Sequence, residues 1–225
     1  GAALYALHQV DNQPRAPFRH QAYTGAHFSN EQIEAYLQSR GIAYQRYTDE
    51  ELFPRVAEAL HQGAVIGWFQ GRAEFGPRAL GNRSIIVDPS RPDAKDLLNS
   101  KIKRRESFRP FAPSILKEAV LDYFEQDDDV PFMEKVFLIR PEKRASIPAV
   151  THVDGTGRLQ TVEERDNPRY HRLIKTFAEK SGVPILLNTS FNENEPIVNT
   201  PEHALECFLR TQMDMLVLEN VVVSR

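Results

Sequence analysis

Short apolar runs that alternate with helical patterns constrain the fold of this chain more than any other feature. The runs at 64–69 (AVIGWF) and 183–187 (VPILL) contain no polar residue, which is typical of strands buried on both faces. Segments with apolar residues on one helical face alternate with such runs. Leu52, Val56 and Leu60, just before the run at 64–69, are an example. This alternation predicts an α/β domain with an open, twisted, mixed sheet and flanking helices.

Capping signals predict where two of the helices begin. Ser29 precedes Gln32 with capping-box spacing, and Gly41 is expected to end that helix. Thr48 and Glu51 repeat the capping pattern. The remaining elements follow from periodicity and turn residues. They are strands at 42–47, 85–89, 111–116 and 133–140, a final pair of strands within 214–224, and helices at 1–10, 92–102, 117–125, 168–182 and 200–212. A hairpin is predicted over 150–162, with Asp154–Gly155 and Gly157 in its turn.

The composition is that of an ordinary soluble domain. The 225 residues include one cysteine, and no apolar stretch approaches the length of a membrane span. Cys207 lies in a helical apolar pattern and is predicted to be a small buried residue rather than a nucleophile. We expect a cytoplasmic protein that binds no membrane. The missing initiator Met and the apolar start GAALYALHQV are expected of a piece of a longer chain.

Basic residues are concentrated in one stretch of an otherwise acidic chain. Residues 71–110 hold ten Lys and Arg and five acidic residues, a local charge of +5, whereas the whole chain carries −3 and the remainder therefore −8. A cationic cluster on an acidic body attracts a small anion, while the overall charge argues against a general nucleic-acid binder. A solvated charged face is the alternative, but the cluster is interleaved with Gly, Pro and Phe.

A loop rich in glycine and arginine follows the strand predicted at 64–69. It has the sequence GRAEFGPRALGNRS over 71–84 and includes Gly76, Arg78 and Arg83. Glycines let the backbone approach a ligand, guanidinium groups bind phosphate or carboxylate, and α/β folds place ligands in loops at strand ends. We therefore predict an anion site here, with a tight surface turn as the alternative.

A second basic segment, KIKRRESFRPFAP at 101–113, is predicted to be extended because its prolines oppose a helix. In an extended segment Lys103 and Arg105 share a face and point at one target. Converging cations, with Arg109 nearby, suit a phosphate or an anhydride. A basic edge strand that resists aggregation is the alternative.

Small polar side chains follow the strand predicted at 183–187. They are Asn188, Thr189, Ser190 and Asn192. These residue types suit either a turn or hydrogen bonds with ribose and phosphate oxygens, and the sequence leaves both interpretations open.

The glycine-rich segment around 154–160 contributes Arg158 as a further candidate for anion binding. His152 is predicted to pack or to form a hydrogen bond rather than to bind a metal, because no other ligand lies at a suitable spacing. No metal site is predicted.

Four blocks of sequence together resemble the C-terminal domain of NodU-type O-carbamoyltransferases, which attach a carbamoyl group to nodulation factors and antibiotics. The blocks are GRAEFGPRALGNRSI, Lys103 to Ser114, VDGTGRLQTV and LLNTSFNENEPIV, in the family's order and approximate spacing. The resemblance extends from about Tyr23 to Arg225. It implies a YrdC-like fold, whose Lys-x-Arg and Ser-x-Asn signature appears here as Lys103 to Arg105 and Ser190 to Asn192.

The resemblance also implies a reaction in two stages. This domain would join carbamoyl phosphate and ATP into carbamoyl adenylate, with Mg²⁺ on the triphosphate. A preceding ATPase-like domain, which carries the family's metal site, would pass the carbamoyl group to an acceptor hydroxyl. Residues 1–22 are then the tail of that domain plus a linker, and 23–225 are the adenylate-forming domain. Removing residues 1 to about 22 is expected to leave thermal stability and ATP binding unchanged.

The candidate site residues divide into two groups. Lys103, Arg105 and Arg78 are the catalytic candidates, because they would neutralise the charges of the two substrates. The cofactor-binding candidates are Arg109, Arg158, Asn188, Thr189, Ser190, Asn192, Gly76 and Arg83. Replacing Lys103 or Arg105 by Ala is expected to abolish adenylate formation with little effect on thermal stability, since one like charge leaves a crowded cluster.

Two other functions are compatible with parts of the sequence. A YrdC-like nucleotide- or RNA-binding module is the main alternative, because YrdC-like domains also occur in proteins that act on transfer RNA. The acidic remainder of the chain and the lack of interleaved exposed aromatics argue against it. A non-catalytic scaffold that docks the acceptor domain is a third possibility, but the basic positions of the family blocks are all present.

Overall fold

The computed structural model describes residues 1–15, 20–103 and 110–225. The strands in these ranges are β1 (Gln45–Arg46), β2 (Ile66–Phe69), β3 (Arg83–Val87), β4 (Ala112–Leu116), β5 (Phe137–Leu138), β6 (Thr156–Gly157), β7 (Gln160–Val162), β8 (Ile185–Ser190), β9 (Met215–Leu218) and β10 (Val221–Ser224). Eight of them form one sheet in the order β1-β10-β9-β2-β3-β8-β4-β7, and β5 pairs with β6. The pairs β2–β9 and β4–β7 are parallel and the others antiparallel, so the predicted α/β class with an open, mixed sheet and flanking helices is confirmed.

Helices of different lengths flank the sheet. The α-helices are α1 (Ala2–Tyr5), α2 (Asn30–Ser39), α3 (Asp49–His61), α4 (Ala94–Leu98), α5 (Val120–Tyr123), α6 (Pro168–Ser181) and α7 (Pro201–Arg210). A π-helical turn continues α1 over Ala6–Val10, and another continues α4 over Asn99–Lys103. The 3₁₀ turns are Lys117–Ala119, Pro141–Ser146 and Pro148–Val150.

The predicted capping boxes are present. Ser29 Oγ accepts from the backbone N–H of Gln32 at 3.3 Å, and the Gln32 side chain accepts from the Ser29 N–H at 2.9 Å. Thr48 and Glu51 form the same arrangement at the start of α3. Because each box satisfies two backbone N–H groups that a helix leaves free, local sequence alone determines these helix starts.

The core lies between the central strands and the helices packed on them. All residues of β2 and β3 are buried, α3 packs against α6, and α7 packs on β2 and β9. The rings of Phe53 and Trp68 meet with centroids 6.2 Å apart. Cys207 is fully buried as predicted, and burial raises the pKa of its thiol to about 12, so the thiol is not a nucleophile at neutral pH.

The hairpin predicted over 150–162 does not form. The turn at Asp154–Gly155 is present, with Gly155 at φ 81°. However, β6 pairs with β5, and β7 pairs in parallel with β4. β7 therefore belongs to the large sheet, and its residues 160–162 are all buried. The local pattern could not distinguish that distant partner from a near one.

The first three residues of the basic segment, 101–103, are helical where an extended conformation was predicted, whereas its last two residues lie in β4. Lys101 and Lys103 lie in the π-helical turn that continues α4. Leu98 and Ile102, one turn apart, are both fully buried, so apolar burial extends the helix up to the predicted cation cluster. Residues 104–109 lie outside the described ranges. The strands predicted at 42–47 and 133–140 contract to two residues each, β1 and β5.

The first helix of the chain has no buried residue. Leu4, Tyr5 and Val10 expose 61%, 67% and 65% of their surface. The assignment of residues 1–22 to a tail and linker stays a prediction. Within the ranges that the structure describes, no helix has the length and apolar character needed to cross a membrane.

Candidate anion-binding site

A polar cleft lies where the loop before β3 approaches the end of β8. β8 pairs antiparallel with both β3 and β4, with Asn188 opposite Ile86 on one side and Ala112 on the other. This pairing brings the first and third predicted segments together. The cleft has a volume of about 80 Å³ and is lined by Arg78, Ala79, Pro110, Phe111, Ala112, Met133, Arg158, Asn188, Thr189 and Ser190.

Two arginines give the cleft its charge. Burial, and then the positive charge of Arg78, lower the pKa of Arg158, which shows that the two guanidinium groups are close enough to repel each other. Arg158 Nε is buried without a hydrogen-bond partner. In the part of the chain that the structure describes, neither arginine forms an ion pair with an acidic residue. Uncompensated cations beside a polar cleft are the arrangement that an anion stabilises.

Asn188 forms a rigid part of the cleft wall. Its Nδ2 group donates to the Ala79 carbonyl at 3.2 Å and to Ser114 Oγ at 3.0 Å. Ser114 in turn donates to Gln160 Oε1 at 2.7 Å, and Gln160 donates to the Leu80 carbonyl at 2.8 Å. Asn188 Oδ1 is buried and has no partner, so it is free to accept a hydrogen bond from a ligand.

Lys103 holds the loop after β8 rather than the cleft itself. Its Nζ donates to the carbonyls of Ser190 and Asn192, both at 2.7 Å, and to Asn192 Oδ1 at 2.6 Å. The side chain is buried, with 4% of its surface exposed. Lys103 of the Lys-x-Arg signature therefore contacts Ser190 and Asn192 of the Ser-x-Asn signature. Through these hydrogen bonds Lys103 fixes the position of the loop after β8.

Arg83 is not at the cleft, contrary to the prediction that it binds a cofactor. Its guanidinium donates to four backbone carbonyls at 2.6–3.1 Å, those of Gln70, Asn82, Ala26 and Gly71. It also stacks on Phe69, 3.6 Å from the ring centroid. The side chain is 1% exposed, and burial lowers its pKa to about 10. Both terminal nitrogens of the guanidinium group donate within the fold, whereas Nε is buried without a hydrogen-bond partner. Arg83 therefore supports the backbone of the loop.

The other predicted residues lie in different places. Thr189 and Ser190 line the cleft, whereas Gly76 lies at the exposed tip of the loop, with φ at 132°. The Asn192 side chain accepts a hydrogen bond from Lys103 Nζ and donates one to the Glu195 carbonyl at 2.6 Å. Arg105 and Arg109 fall outside the described residues, so their roles stay predictions.

Sequence reasoning missed the polar residues that shape the cleft walls. Glu74 is the acidic residue of the 71–84 loop, and its Oε1 accepts from three backbone N–H groups. Ser114 and Gln160 are buried polar residues within strands β4 and β7. The available signals were an acid inside a basic loop and polar residues at buried strand positions, which normally require a partner.

His152 is held in one tautomer close to Arg158. Thr156 Oγ1 donates to Asp154 Oδ1 at 2.7 Å, so its oxygen accepts from His152 Nδ1 at 3.0 Å. The other ring nitrogen, Nε2, is buried and unpartnered. Burial first, and then the positive charges of Lys95 and Arg158, lower the pKa of His152, although Asp154 opposes the shift. The predicted hydrogen-bonding role is present, and the imidazole is neutral at neutral pH.

We expect His152 to make the fold less stable at acidic pH. A lowered pKa in the folded state means that the unfolded chain binds the proton first, so the free energy of unfolding falls as the pH drops below about 6.5. His152→Gln should remove this part of the pH dependence. Urea unfolding at about pH 7.5 and about pH 5.5 measures it. His203→Gln, at an exposed position of α7, is the control and should behave like wild type. An unchanged pH dependence in His152→Gln would contradict the assignment.

Comparison with known proteins identifies the class to which this fold and cleft belong. The family model of the carbamoyltransferase C-terminus matches residues 57–225, which is most of the chain. The chain belongs to this family. The matched range contains every residue that lines the cationic cleft.

The relatives include both unassigned and functionally named proteins. Protein sll1178 of Synechocystis sp. is 47% identical over 252 residues, covering 100% of this chain and 41% of that protein. The nodulation protein NolO of Bradyrhizobium diazoefficiens is 43% identical, covering 100% of this chain and 42% of its own length. The 3'-hydroxymethylcephem-O-carbamoyltransferase of Amycolatopsis lactamdurans is 41% identical, covering 76% of this chain and 33% of its own length. The chain thus spans less than half of these relatives.

A solved structure shares the fold. Full-length HypF, crystallised in a phosphate- and nucleotide-bound form, matches with a TM-score of 0.54 at 20% identity. The match covers 81% of this chain and 23% of HypF. This likeness confirms the YrdC-like α/β fold that the sequence resemblance implies.

Metal-binding chemistry is not evident in the described ranges. No group of three or more His, Cys, Asp or Glu side chains in them is arranged to hold a metal ion. None of the described residues that line the cleft carries a carboxylate.

Proposed function

We propose that this domain binds carbamoyl phosphate and ATP in the cleft between Arg78 and Arg158 and forms carbamoyl adenylate. The observation that carries the proposal is that Arg78 and Arg158 line the same cleft and form no ion pair with an acidic residue among the described parts of the chain. Both proposed substrates are polyanions whose mutual repulsion must be neutralised before they react. The carbamoyltransferase family membership supports the choice of the carbamoyl group, and the phosphate and nucleotide held by HypF support the choice of phosphate ligands.

The proposed chemistry needs positioning and charge neutralisation rather than a protein nucleophile. Water releases phosphate from carbamoyl phosphate and leaves carbamate. A carbamate oxygen then attacks the α-phosphorus of ATP, forming a P–O bond as the bond to pyrophosphate breaks. Arg78 and Arg158 would stabilise the developing charge, while Asn188, Thr189 and Ser190 would orient phosphate or ribose oxygens. Arg105 and Arg109, from the basic segment at 101–113, are proposed to add further positive charge to the site.

Magnesium enters this proposal with ATP. Because the described cleft lining offers no carboxylate, Mg²⁺ would be held by the triphosphate oxygens and would arrive as the Mg–ATP complex. Its chemistry would be to neutralise the departing pyrophosphate.

The acceptor half of the reaction is proposed to belong to a preceding domain. The chain spans 41% and 42% of sll1178 and NolO, and an O-carbamoyltransferase is among its relatives. In this proposal residues 1–22 join the two domains, and the preceding domain carries the carbamoyl group to a hydroxyl. The predicted cytoplasmic location belongs to the same proposal.

Replacing both cleft arginines is expected to abolish substrate binding. Each charge-assisted contact contributes about 1.5–3 kcal/mol, so the double variant Arg78→Ala, Arg158→Ala should lose at least about a hundredfold in affinity for carbamoyl phosphate and Mg–ATP. Calorimetry measures binding, and release of phosphate and pyrophosphate measures the reaction. Arg46→Ala is the matched control, because Arg46 lies in β1 at the opposite edge of the sheet and pairs with Glu31 and Glu34.

Three results would overturn the proposed function. The first is a folded wild-type protein that binds neither ligand. The second is a double variant that binds both ligands as well as Arg46→Ala does. The third is RNA binding that weakens steeply as salt rises, without carbamoyl phosphate binding, which would favour the alternative of an RNA-binding module.

A further inference from the structure

The loop that carries Arg78 is closed at its base by one carboxylate oxygen. Glu74 Oε1 accepts from the backbone N–H groups of Leu80 and Asn82 at 2.7 Å each, and from that of Arg83 at 3.2 Å. A carboxylate that binds several N–H groups forms strong, charge-assisted hydrogen bonds. Glu74 therefore joins the two ends of the loop, and Arg78 lies between these ends.

A segment near the start of the chain, 22–26, runs along this loop, and we name it the N-terminal strap. The Phe75 N–H donates to the Ala22 carbonyl at 2.6 Å, the Gly25 N–H donates to the Ala73 carbonyl at 2.9 Å, and the Ala73 N–H donates to the Ala26 carbonyl at 2.9 Å. Tyr23 and Glu74 form an antiparallel bridge. The strap thus pairs with the loop as a strand pairs with its neighbour.

Tyr23 connects the strap to the far end of the loop. Its hydroxyl donates to the Leu80 carbonyl at 2.8 Å. Burial raises the pKa of Tyr23 well above its usual range, so the hydroxyl keeps its proton and remains a donor. The same Leu80 carbonyl accepts from Gln160 at 2.8 Å, within the hydrogen-bonded network that fixes Asn188. The strap therefore contacts the loop on both sides of Arg78, and at Leu80 it shares an acceptor with the network that fixes Asn188.

Gly25 is the point of closest approach between the strap and the loop. A Cβ atom there would lie 2.8 Å from the Ala73 Cβ and 3.0 Å from the Ala73 carbonyl oxygen. Contacts this short force the backbones apart, because the obstacle is backbone and Cβ rather than a flexible side-chain end. Any larger residue at position 25 would therefore separate the strap from the loop.

We propose that Tyr23 and Gly25 are positioning residues for the anion site, which act by holding the Arg78 loop against the cleft. This inference rests on the proposed function, since it needs an anion that Arg78 binds. It assigns a role in ligand binding to a segment outside the matched family range of 57–225. It also couples the cleft to any domain that precedes the strap in a longer chain.

The test is a double-mutant cycle with the full chain. Gly25→Val should weaken carbamoyl phosphate binding by about tenfold, and Tyr23→Phe by about threefold. Added to Arg78→Ala, the same changes should have almost no further effect, because the strap acts through Arg78. Tyr44→Phe is the matched control, since it removes a hydroxyl that contacts Gln38 at the surface. Calorimetry is run at a temperature well below every variant's melting transition.

The outcomes separate this inference from the proposed function. If the wild type binds carbamoyl phosphate and both strap variants bind it equally well, the inference fails while the proposed function stands. If the strap variants weaken binding by the same factor with and without Arg78, the strap acts through general stability and the inference is also wrong. If the wild type does not bind at all, the proposed function fails first.

Discussion

Lys103→Met is expected to lower the melting temperature by about 6–12 °C. The substitution keeps the length of the side chain but leaves two carbonyls and Asn192 Oδ1 without their donor. Buried acceptors that lose their partner cost about 1–3 kcal/mol each and relax in part, so a total of about 3 kcal/mol is expected. For a domain of this size each kcal/mol corresponds to about 2–4 °C. Adenylate formation should also stop, because Ser190 and Asn192 lose their anchor.

This result would correct the expectation from sequence that the fold tolerates loss of Lys103. Relief of repulsion in a basic cluster would have left the melting temperature unchanged, whereas a buried, three-fold bonded ammonium group predicts a large loss. Lys95→Met is the matched control, since Lys95 Nζ makes one longer hydrogen bond, to the Thr151 carbonyl at 3.2 Å. Equal thermal shifts in the two variants would contradict the assigned role of Lys103.

Arg83→Met should destabilise the protein even more, by about 3–5 kcal/mol. Four carbonyls lose their donor, and the cation stacked on Phe69 is removed. Its partner experiment is Arg78→Met in the same loop, where the side chain is exposed. Arg78→Met should keep the free energy of unfolding within about 0.5 kcal/mol of wild type and should instead lose anion affinity.

Urea unfolding and calorimetry on both variants test this reciprocal pattern. Arg83→Met needs its ligand binding measured at low temperature, where the folded state is populated. If Arg83→Met were as stable as wild type and lost affinity directly, the original prediction that Arg83 contacts a ligand would be restored. If Arg78→Met kept its anion affinity, the cleft would not be the functional site.

The α/β class and the helix starts were predictable because short-range chemistry determines them. The Ser29 and Thr48 capping boxes satisfy their own helix ends, and the apolar run at 64–69 requires burial on both faces whatever its neighbours are. Strand partners were not predictable in the same way. The residues of β7 alternate like half of a hairpin, yet they pair with β4, and only the tertiary structure reveals this parallel neighbour.

The sequence singled out the loop and the strand end that meet at the candidate cleft, but it could not predict which role each basic side chain has there. Arg78 and Arg83 are the same residue type five positions apart in one loop, and only burial separates the cation that faces the cleft from the one that supports the backbone. Lys103 shows the same limit, because a signature lysine can bind a ligand or a loop. Composition reveals how many charges a segment carries, while their hydrogen-bond partners depend on the whole fold.

The pairing of β8 with β3 has a consequence for how activity arises during folding. Asn188 donates to the Ala79 carbonyl across 109 residues of chain, and Gln160 donates to the Leu80 carbonyl across 80. Contacts between such distant residues carry the entropy cost of closing long loops and tend to form slowly. We therefore expect the cleft to form only when the distant strands have paired, so the anion affinity proposed for it would arise together with the final compact state.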